Sequence, residues 1–301
     1  MIFFSFILTT FMLVAGCVNV DQLINEIHDA DTETTFLYNT FSQDYDAYVE
    51  AQDLSDTPEK ARTVLSLNEK ALNSSQETSR SIDSLLLKIS ELQERRLNEK
   101  QEQYLEKLKL ALENYKIDID TRNQLLRELR VFDEYMLHNN LMAQHLVDFL
   151  NADNKVALHS STENWEAASQ EAMNMDKLLT NFESEVEQMQ GIIPFKFLVG
   201  YEQFAKLSRA YVTQLNDITS KLVAKRKVLE NEFTDLHEKG TVAGSTLLFK
   251  GEIIYVKGEE DELELYKKEH FQPQQQKAVL AYNKADAYYQ DAKLKYERLF
   301  S

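Results

Sequence analysis

Glycine and proline are scarce in this sequence, with 7 Gly and 3 Pro among 301 residues. Average proteins contain about 7% Gly and about 5% Pro. These two residues make many of the tight turns in proteins, so a chain with so few of them has long regular elements. The sequence is also rich in Leu, Glu, Lys, Gln and Ala, which favour helices. The composition therefore predicts an all-α fold of long antiparallel helices.

Cysteine and basic residues are scarce as well. Cys17 is the only cysteine, so if its thiol is modified none is left for disulfides, metal ligation or nucleophilic chemistry. The 33 Lys and Arg residues are outnumbered by 50 Asp and Glu, and the formal net charge is -17. Proteins bind nucleic acids through Lys and Arg that neutralise phosphates. This charge balance argues against a nucleic-acid partner.

The one long apolar run covers residues 2–12 and leads into Leu13-Val14-Ala15-Gly16-Cys17. Small residues after an apolar core are typical of signal-peptide cleavage sites. The run is shorter than the roughly 20 residues that a membrane-spanning helix needs. No Lys or Arg precedes Cys17, whereas a signal peptide normally opens with a positive region.

This ending resembles the lipobox of prokaryotic lipoproteins. The resemblance implies that residues 1–17 are a signal peptide with its lipobox Cys, and that a lipid is attached to the thiol of Cys17. Cleavage would then make Cys17 the first residue of a protein anchored at the extracytoplasmic face of the cell membrane. In overall plan, an anchor Cys followed by long charged helices, the chain is similar to helical wall-associated lipoproteins of Gram-positive bacteria.

Residues 18–150 are expected to form an N-terminal region of helices. Within residues 18–52 apolar side chains recur every three or four positions, which predicts a first helix. Thr57 stands where an N-cap belongs and Pro58 where a helix accepts proline, so a second helix begins there.

Residues 94–103 are polar apart from Leu97 and lie between two apolar stripes. We predict that they are the tip of a helical hairpin and that Asn98 caps the next helix, which runs towards residue 150. The alternative is one unbroken helix. Its apolar stripes would then have to face other parts of the chain or another molecule, and self-association would follow.

Residues 151–301 are expected to form a C-terminal helical region. Polar residues at 151–154 break the third helix, and Ser161 or Thr162 is the expected N-cap of a fourth. A fifth helix is expected from about residue 195 to residue 238, with Gly240 as its C-terminal cap.

Residues 241–257 differ from the rest, because β-rich runs flank Lys250-Gly251. This pattern predicts a small β-hairpin near residues 245–257. Charged residues then resume the helical pattern, and Pro273 is the expected start of the last helix.

The sequence lacks phosphate-binding glycine loops, nucleophile elbows and the His-Glu-x-x-His zinc motif. Glu134, His138, His145 and Asp148 have offsets that place them near one face of the third helix, which makes them the best metal candidates. Charged residues on any exposed helical face have the same spacing. We therefore expect no metal site, no cofactor and no catalytic residues.

The predicted function is that of a non-enzymatic, lipid-anchored protein that holds or spaces another envelope component. Its partners would be the membrane, through the lipid on Cys17, and a protein or the cell wall. The alternative is an envelope enzyme or sensor domain that uses residues 241–257 as an active loop. A pocket that joins this segment to several acids with perturbed pKa values would favour the alternative.

Overall fold

The computed structural model describes residues 19–52, 56–250 and 253–299. The predicted signal peptide and Cys17 therefore lie outside the described residues. The described part confirms the all-α fold with one small β-hairpin. Its elements, in chain order, are α1 Val20–Gln52, α2 Pro58–Gln93, α3 Glu99–Ser161, α4 Trp165–Ile192, α5 Leu198–Val223, α6 Glu230–Gly244, β1 Leu248–Lys250, β2 Ile253–Tyr255, α7 Glu259–His270 and α8 Gln272–Glu297.

The starts of α2 and α3 follow the predicted capping chemistry. Thr57 Oγ1 accepts a hydrogen bond from the backbone N–H of Lys60, 3.3 Å away, and Pro58 is the first helical residue. At the start of α3, Asn98 Oδ1 accepts from the backbone N–H of Gln101, and Gln101 Oε1 accepts from that of Asn98. This reciprocal capping box satisfies two backbone donors that the helix itself cannot bond.

The chain reverses direction between α2 and α3, within the predicted tip 94–103. The turn is shorter than predicted and covers residues 94–98, because α3 already begins at Glu99. The Asn68 side chain donates to the backbone carbonyl of Leu126 at 2.9 Å, and Lys116 forms an ion pair with Asp83. Residues before the tip thus meet residues after it in reverse order. These contacts define an antiparallel helical hairpin.

α3 does not break at residues 151–154, contrary to the prediction. Ala152 and Val156 are buried and continue the apolar stripe of the helix, so packing outweighs the turn preference of the neighbouring Asn and Asp residues. The break comes at Glu163, which has a positive φ of 56°. The N-cap of α4 is Asn164, whose side chain accepts from Ala167 N, and not Ser161 or Thr162.

The predicted fifth helix is two helices, α5 and α6. α5 ends in a Schellman motif, in which Arg226 N donates to Lys221 O at 2.8 Å and Lys225 N donates to Leu222 O at 3.0 Å. Lys225 occupies the left-handed position of this motif with φ 54°, where a glycine is usual. Sequence analysis expected a glycine at the helix end and therefore missed this break.

Gly240 does not cap a helix, because it lies inside α6, which ends at Gly244. A Cβ atom built on Gly240 would lie 3.2 Å from Cε2 of the Tyr211 ring. The close approach of α6 to the Tyr211 side chain of α5 therefore explains why position 240 is a glycine. A larger side chain at this position would have to displace that ring.

The predicted hairpin near residues 245–257 is present. β1 and β2 pair antiparallel, with Leu248 opposite Tyr255 and Lys250 opposite Ile253. Gly251, in the expected turn, lies outside the described residues. The buried Val256 follows β2, and its side chain would lie 3.0 Å from a Cβ atom on Gly200.

Contacts group the chain into two compact units, neither of which is a continuous stretch. Of the described residues, unit 1 contains 19–49, 67–127 and 272–299, and unit 2 contains 50–52, 56–66, 128–250 and 253–271. This grouping differs from the linear division at residue 150, which falls inside α3.

Candidate functional site

Buried carboxyl groups that accept hydrogen bonds from tyrosines recur in both units, and each pair joins two helices. Burial is the main cause that raises the pKa of each of these carboxyl groups. The pairs are Tyr38 with Asp118 at 2.6 Å, Tyr211 with Asp153 at 2.6 Å, Tyr201 with Glu259 at 2.7 Å, and Tyr289 with Asp31.

In unit 1 the buried face of α1 contains polar residues among the apolar ones. Its buried positions are Ile24, Ile27, Asp31, Thr34, Tyr38, Phe41, Asp44 and Tyr48. They are three or four residues apart, as in a coiled-coil seam. Apolar character alone does not identify this face, because Phe36 is 69% exposed. The period alone would have found Asp31 in the seam.

Asp118 lies at the centre of a buried network. It accepts from the Tyr38 hydroxyl and from Arg122 Nε, which is 2.9 Å away. The Arg122 guanidinium also lies over the Tyr45 ring, 4.8 Å from its centroid. Burial raises the pKa of Asp118, and the charge of Arg122 opposes that rise. The Asp118 carboxylate thus has two hydrogen-bond donors, and the Arg122 guanidinium has a carboxylate partner, as buried charges require.

In the part of the chain that the structure describes, no Lys, Arg or His pairs with Asp31. It is 4% exposed, and burial raises its pKa to about 7, with a smaller opposing effect from the hydrogen bond with Tyr289. Tyr289 also accepts a hydrogen bond from Thr35 Oγ1 at 3.2 Å. Asp31 therefore changes charge near neutral pH. It lies at the buried end of a chain of hydrogen-bonded hydroxyl groups, those of Tyr289 and Thr35.

Unit 2 contains a cavity of about 440 Å³ that we call the α6 cavity. Its walls include Phe149, Phe204 and Phe233, and its polar residues include Asp153, Ser208, Tyr211 and His237. Ser208 is 1% exposed and its Oγ has no hydrogen-bond partner among the described atoms. Gly240, Thr241, Ala243 and Gly244 complete one side.

The α6 cavity bears on the alternative that residues 241–257 form an active loop. It joins the first residues of that segment to Asp153, whose pKa is raised by burial. Asp153 is the only carboxyl group among the described lining residues, whereas an active loop was expected to lie near several acids with perturbed pKa values. A volume of this size is typical of small-molecule pockets.

The four metal candidates of α3 have separate surroundings. Glu134 accepts from Arg130 Nε at 3.4 Å, and His138 Nδ1 lies 2.6 Å from Glu185 Oε2. His145 is half-buried, and Asp148 is exposed. Within residues 19–52, 56–250 and 253–299 no three His, Cys, Asp or Glu side chains are arranged to hold a metal ion.

Comparison with protein-family models, with curated proteins and with solved structures finds no match to this chain. In the part of the chain that the structure describes, each helix is too short or too polar to cross a membrane.

Proposed function

We propose that this protein is a lipid-anchored, extracytoplasmic helical protein that holds or spaces another component of the cell envelope. The lipobox Leu13-Val14-Ala15-Gly16-Cys17 supports the anchor, because the only cysteine stands where lipidation requires it. The net charge of -17 supports a partner with positive charge, because complementary charges favour association.

The observation that carries the non-enzymatic role is the set of buried tyrosine–carboxyl pairs. Each carboxyl group is held between helices by a hydroxyl donor, and a partner lost from such a pair would leave a buried polar group unsatisfied. Each pair therefore holds the two helices that it joins in a fixed position relative to each other. A protein that spaces other molecules needs this kind of internal rigidity.

A second candidate function is a sensor domain, favoured by the α6 cavity. The Ser208 hydroxyl, which has no hydrogen-bond partner among the described atoms, and the Asp153 carboxyl lie in this cavity beside aromatic and aliphatic side chains. A ligand in this cavity would contact residues 241–244 directly. Binding there would change the contacts between α6 and the rest of unit 2.

The anchor is tested by replacing Cys17 with Ser and measuring precursor size and partition into detergent. We expect the variant to keep its signal peptide and to lose the acyl chains that hold the protein in the detergent phase. Ser5→Ala, in the same apolar run, is the matched control and should behave as wild type. Unchanged processing and partition of Cys17→Ser would remove the lipoprotein proposal.

The envelope-binding role is tested with protein that begins at Val18, which lacks both the lipid and the apolar run of residues 2–12. We expect this protein to sediment with isolated cell envelopes at low salt and to be released as salt rises, because exposed charges are screened within about 8 Å at physiological ionic strength. Protein that stays in the supernatant at every salt concentration would contradict the role. Loss of sedimentation in Asp153→Asn would favour the sensor candidate, because that residue lines the α6 cavity.

A further inference from the structure

A second cavity lies in unit 1 and is lined by side chains of α1, α2, α3 and α8. Its volume is about 160 Å³, and we call it the tyrosine cavity after Tyr38, Tyr115, Tyr282 and Tyr289. Two carboxyl groups, those of Asp31 and Asp286, are also part of the lining. It is separate from the α6 cavity and from the predicted lipidation site.

The tyrosine cavity leads from the surface to the seam of α1. Asp31 and Tyr38 are buried, whereas Tyr115 and Tyr289 are half-buried and Tyr282 is 38% exposed. The carboxyl group of Asp31 is therefore at the inner end, and tyrosine rings surround the way to it. A ligand that enters the cavity would lose its hydration step by step as it passes the tyrosine rings. It would reach the carboxyl group of Asp31 last.

The four rings form a connected group. Tyr115 lies 4.6 Å from Tyr38, 6.5 Å from Tyr282 and 6.1 Å from Tyr289, measured between ring centroids. Tyr38 and Tyr282 are nearly parallel, with an angle of 8° between their planes and 6.2 Å between their centroids. Aromatic rings have negative faces, which attract cations within about 6 Å of a centroid.

The charges of the lining have one sign. Asp31 and Asp286 are acidic, and none of the described lining residues is Lys, Arg or His. Asp31 has a tyrosine hydroxyl as its partner and no cation, unlike Asp118, which pairs with Arg122. A bound cation would supply the positive charge that Asp31 lacks.

We propose that the tyrosine cavity binds a small organic cation with an alkylammonium group. The rings would contact its methyl or methylene groups, and Asp31 and Asp286 would balance its charge. Recognition of quaternary ammonium groups by aromatic cages works in this way. A divalent metal ion fits less well, because no three His, Cys, Asp or Glu side chains of the described residues are arranged to hold one.

The test is isothermal titration of the full chain with choline chloride, in phosphate buffer at about pH 8, where Asp31 is ionised, and an uncharged maltoside detergent. The neutral carbon analogue of choline, with a tert-butyl group in place of the trimethylammonium group, has the same shape without the charge. We expect saturable binding of choline and at least tenfold weaker binding of the analogue. A parallel titration with glycerophosphocholine distinguishes a lipid head group from a free cation as the tighter ligand.

The variants Asp31→Asn and Tyr282→Leu locate the binding. We expect Asp31→Asn to weaken choline binding at least tenfold, because it removes a buried negative charge. Tyr282→Leu should weaken it about fivefold, since one cation–π contact contributes about a factor of this size. Tyr288→Leu is the matched control on α8, because Tyr288 does not line the cavity and contacts Lys107 instead.

Three results would overturn the proposal. The first is no saturable heat with choline for a wild-type protein whose circular dichroism shows folded helices. The second is equal binding of choline and its neutral analogue, which would mean that charge is not recognised. The third is that Tyr288→Leu weakens binding as much as Tyr282→Leu does.

Discussion

Asp31 makes a specific prediction about stability and pH. Its pKa in the folded protein is about 7, whereas an unfolded Asp titrates near ~3.9. The folded state therefore holds this proton more tightly than the unfolded state. Its contribution to the free energy of unfolding is most favourable below about pH 4 and is lost as pH rises to about 7.

The size of this effect follows from the shift. One pKa unit corresponds to about 1.4 kcal/mol, so the ionised carboxylate destabilises the fold by up to about 4 kcal/mol above pH 7. Asp31 is almost fully buried, so solvent does little to reduce this penalty. The amide that replaces the carboxyl group in Asp31→Asn cannot ionise, and its oxygen can still accept from Tyr289. The variant should therefore be roughly 2–4 kcal/mol more stable than wild type near pH 8 and about equal near pH 3.5.

The measurement is urea unfolding followed by circular dichroism, for both proteins at several pH values. Other buried carboxyl groups, such as Asp118 and Glu259, also lower stability as pH rises, but they are common to both proteins and cancel in the difference. Asp29→Asn, at an exposed position of α1, controls for the loss of one negative charge. A stability difference between wild type and Asp31→Asn that does not grow with pH would refute this reasoning.

Three further predictions concern the left-handed residue Lys225, the glycine at position 240 and the hydrogen bond between Tyr201 and Glu259. Lys225→Gly should raise the free energy of unfolding by about 1 kcal/mol, because only glycine adopts a left-handed conformation without strain; equal urea midpoints for the two proteins would contradict this. Gly240→Val should destabilise by about 1–3 kcal/mol, because the new side chain must displace Tyr211, and a thermal midpoint at the wild-type value would show that the ring moves freely. Tyr201→Phe should destabilise by about 1–3 kcal/mol, and more at pH 8 than at pH 5, because Glu259 then loses a donor while charged; the same loss at both pH values would exclude this carboxylate as the cause.

Sequence analysis predicted the fold class because helix periodicity and scarce turn residues are strong signals. It also found the caps at Thr57 and Asn98, where local hydrogen bonds decide the outcome. It missed the ends at Glu163 and Lys225, because non-glycine residues take the left-handed position there. The local sequence gives no sign of a helix end at these two residues, because tertiary packing determines where these helices end.

The candidate cavities were harder to predict than the helices. Each depends on which buried carboxyl meets which tyrosine, and the partners are 58 or more residues apart in the sequence. The positions of Asp31 and Tyr38 in a three-and-four pattern were available from the sequence. Their distance from Tyr289 was not, because periodicity says nothing about which helices are neighbours.

The interleaved segments of unit 1 affect how the chain folds during synthesis. Thr35 and Tyr289 are hydrogen-bonded although 254 residues separate them, and Asn25 and Tyr296 are 271 residues apart. A ribosome adds about 5–20 residues per second, so α8 is synthesised roughly ten to fifty seconds after α1. An all-α protein normally folds quickly through local contacts. In unit 1, α8 is synthesised long after α1 and then packs against it, so the contacts of α1 are completed late.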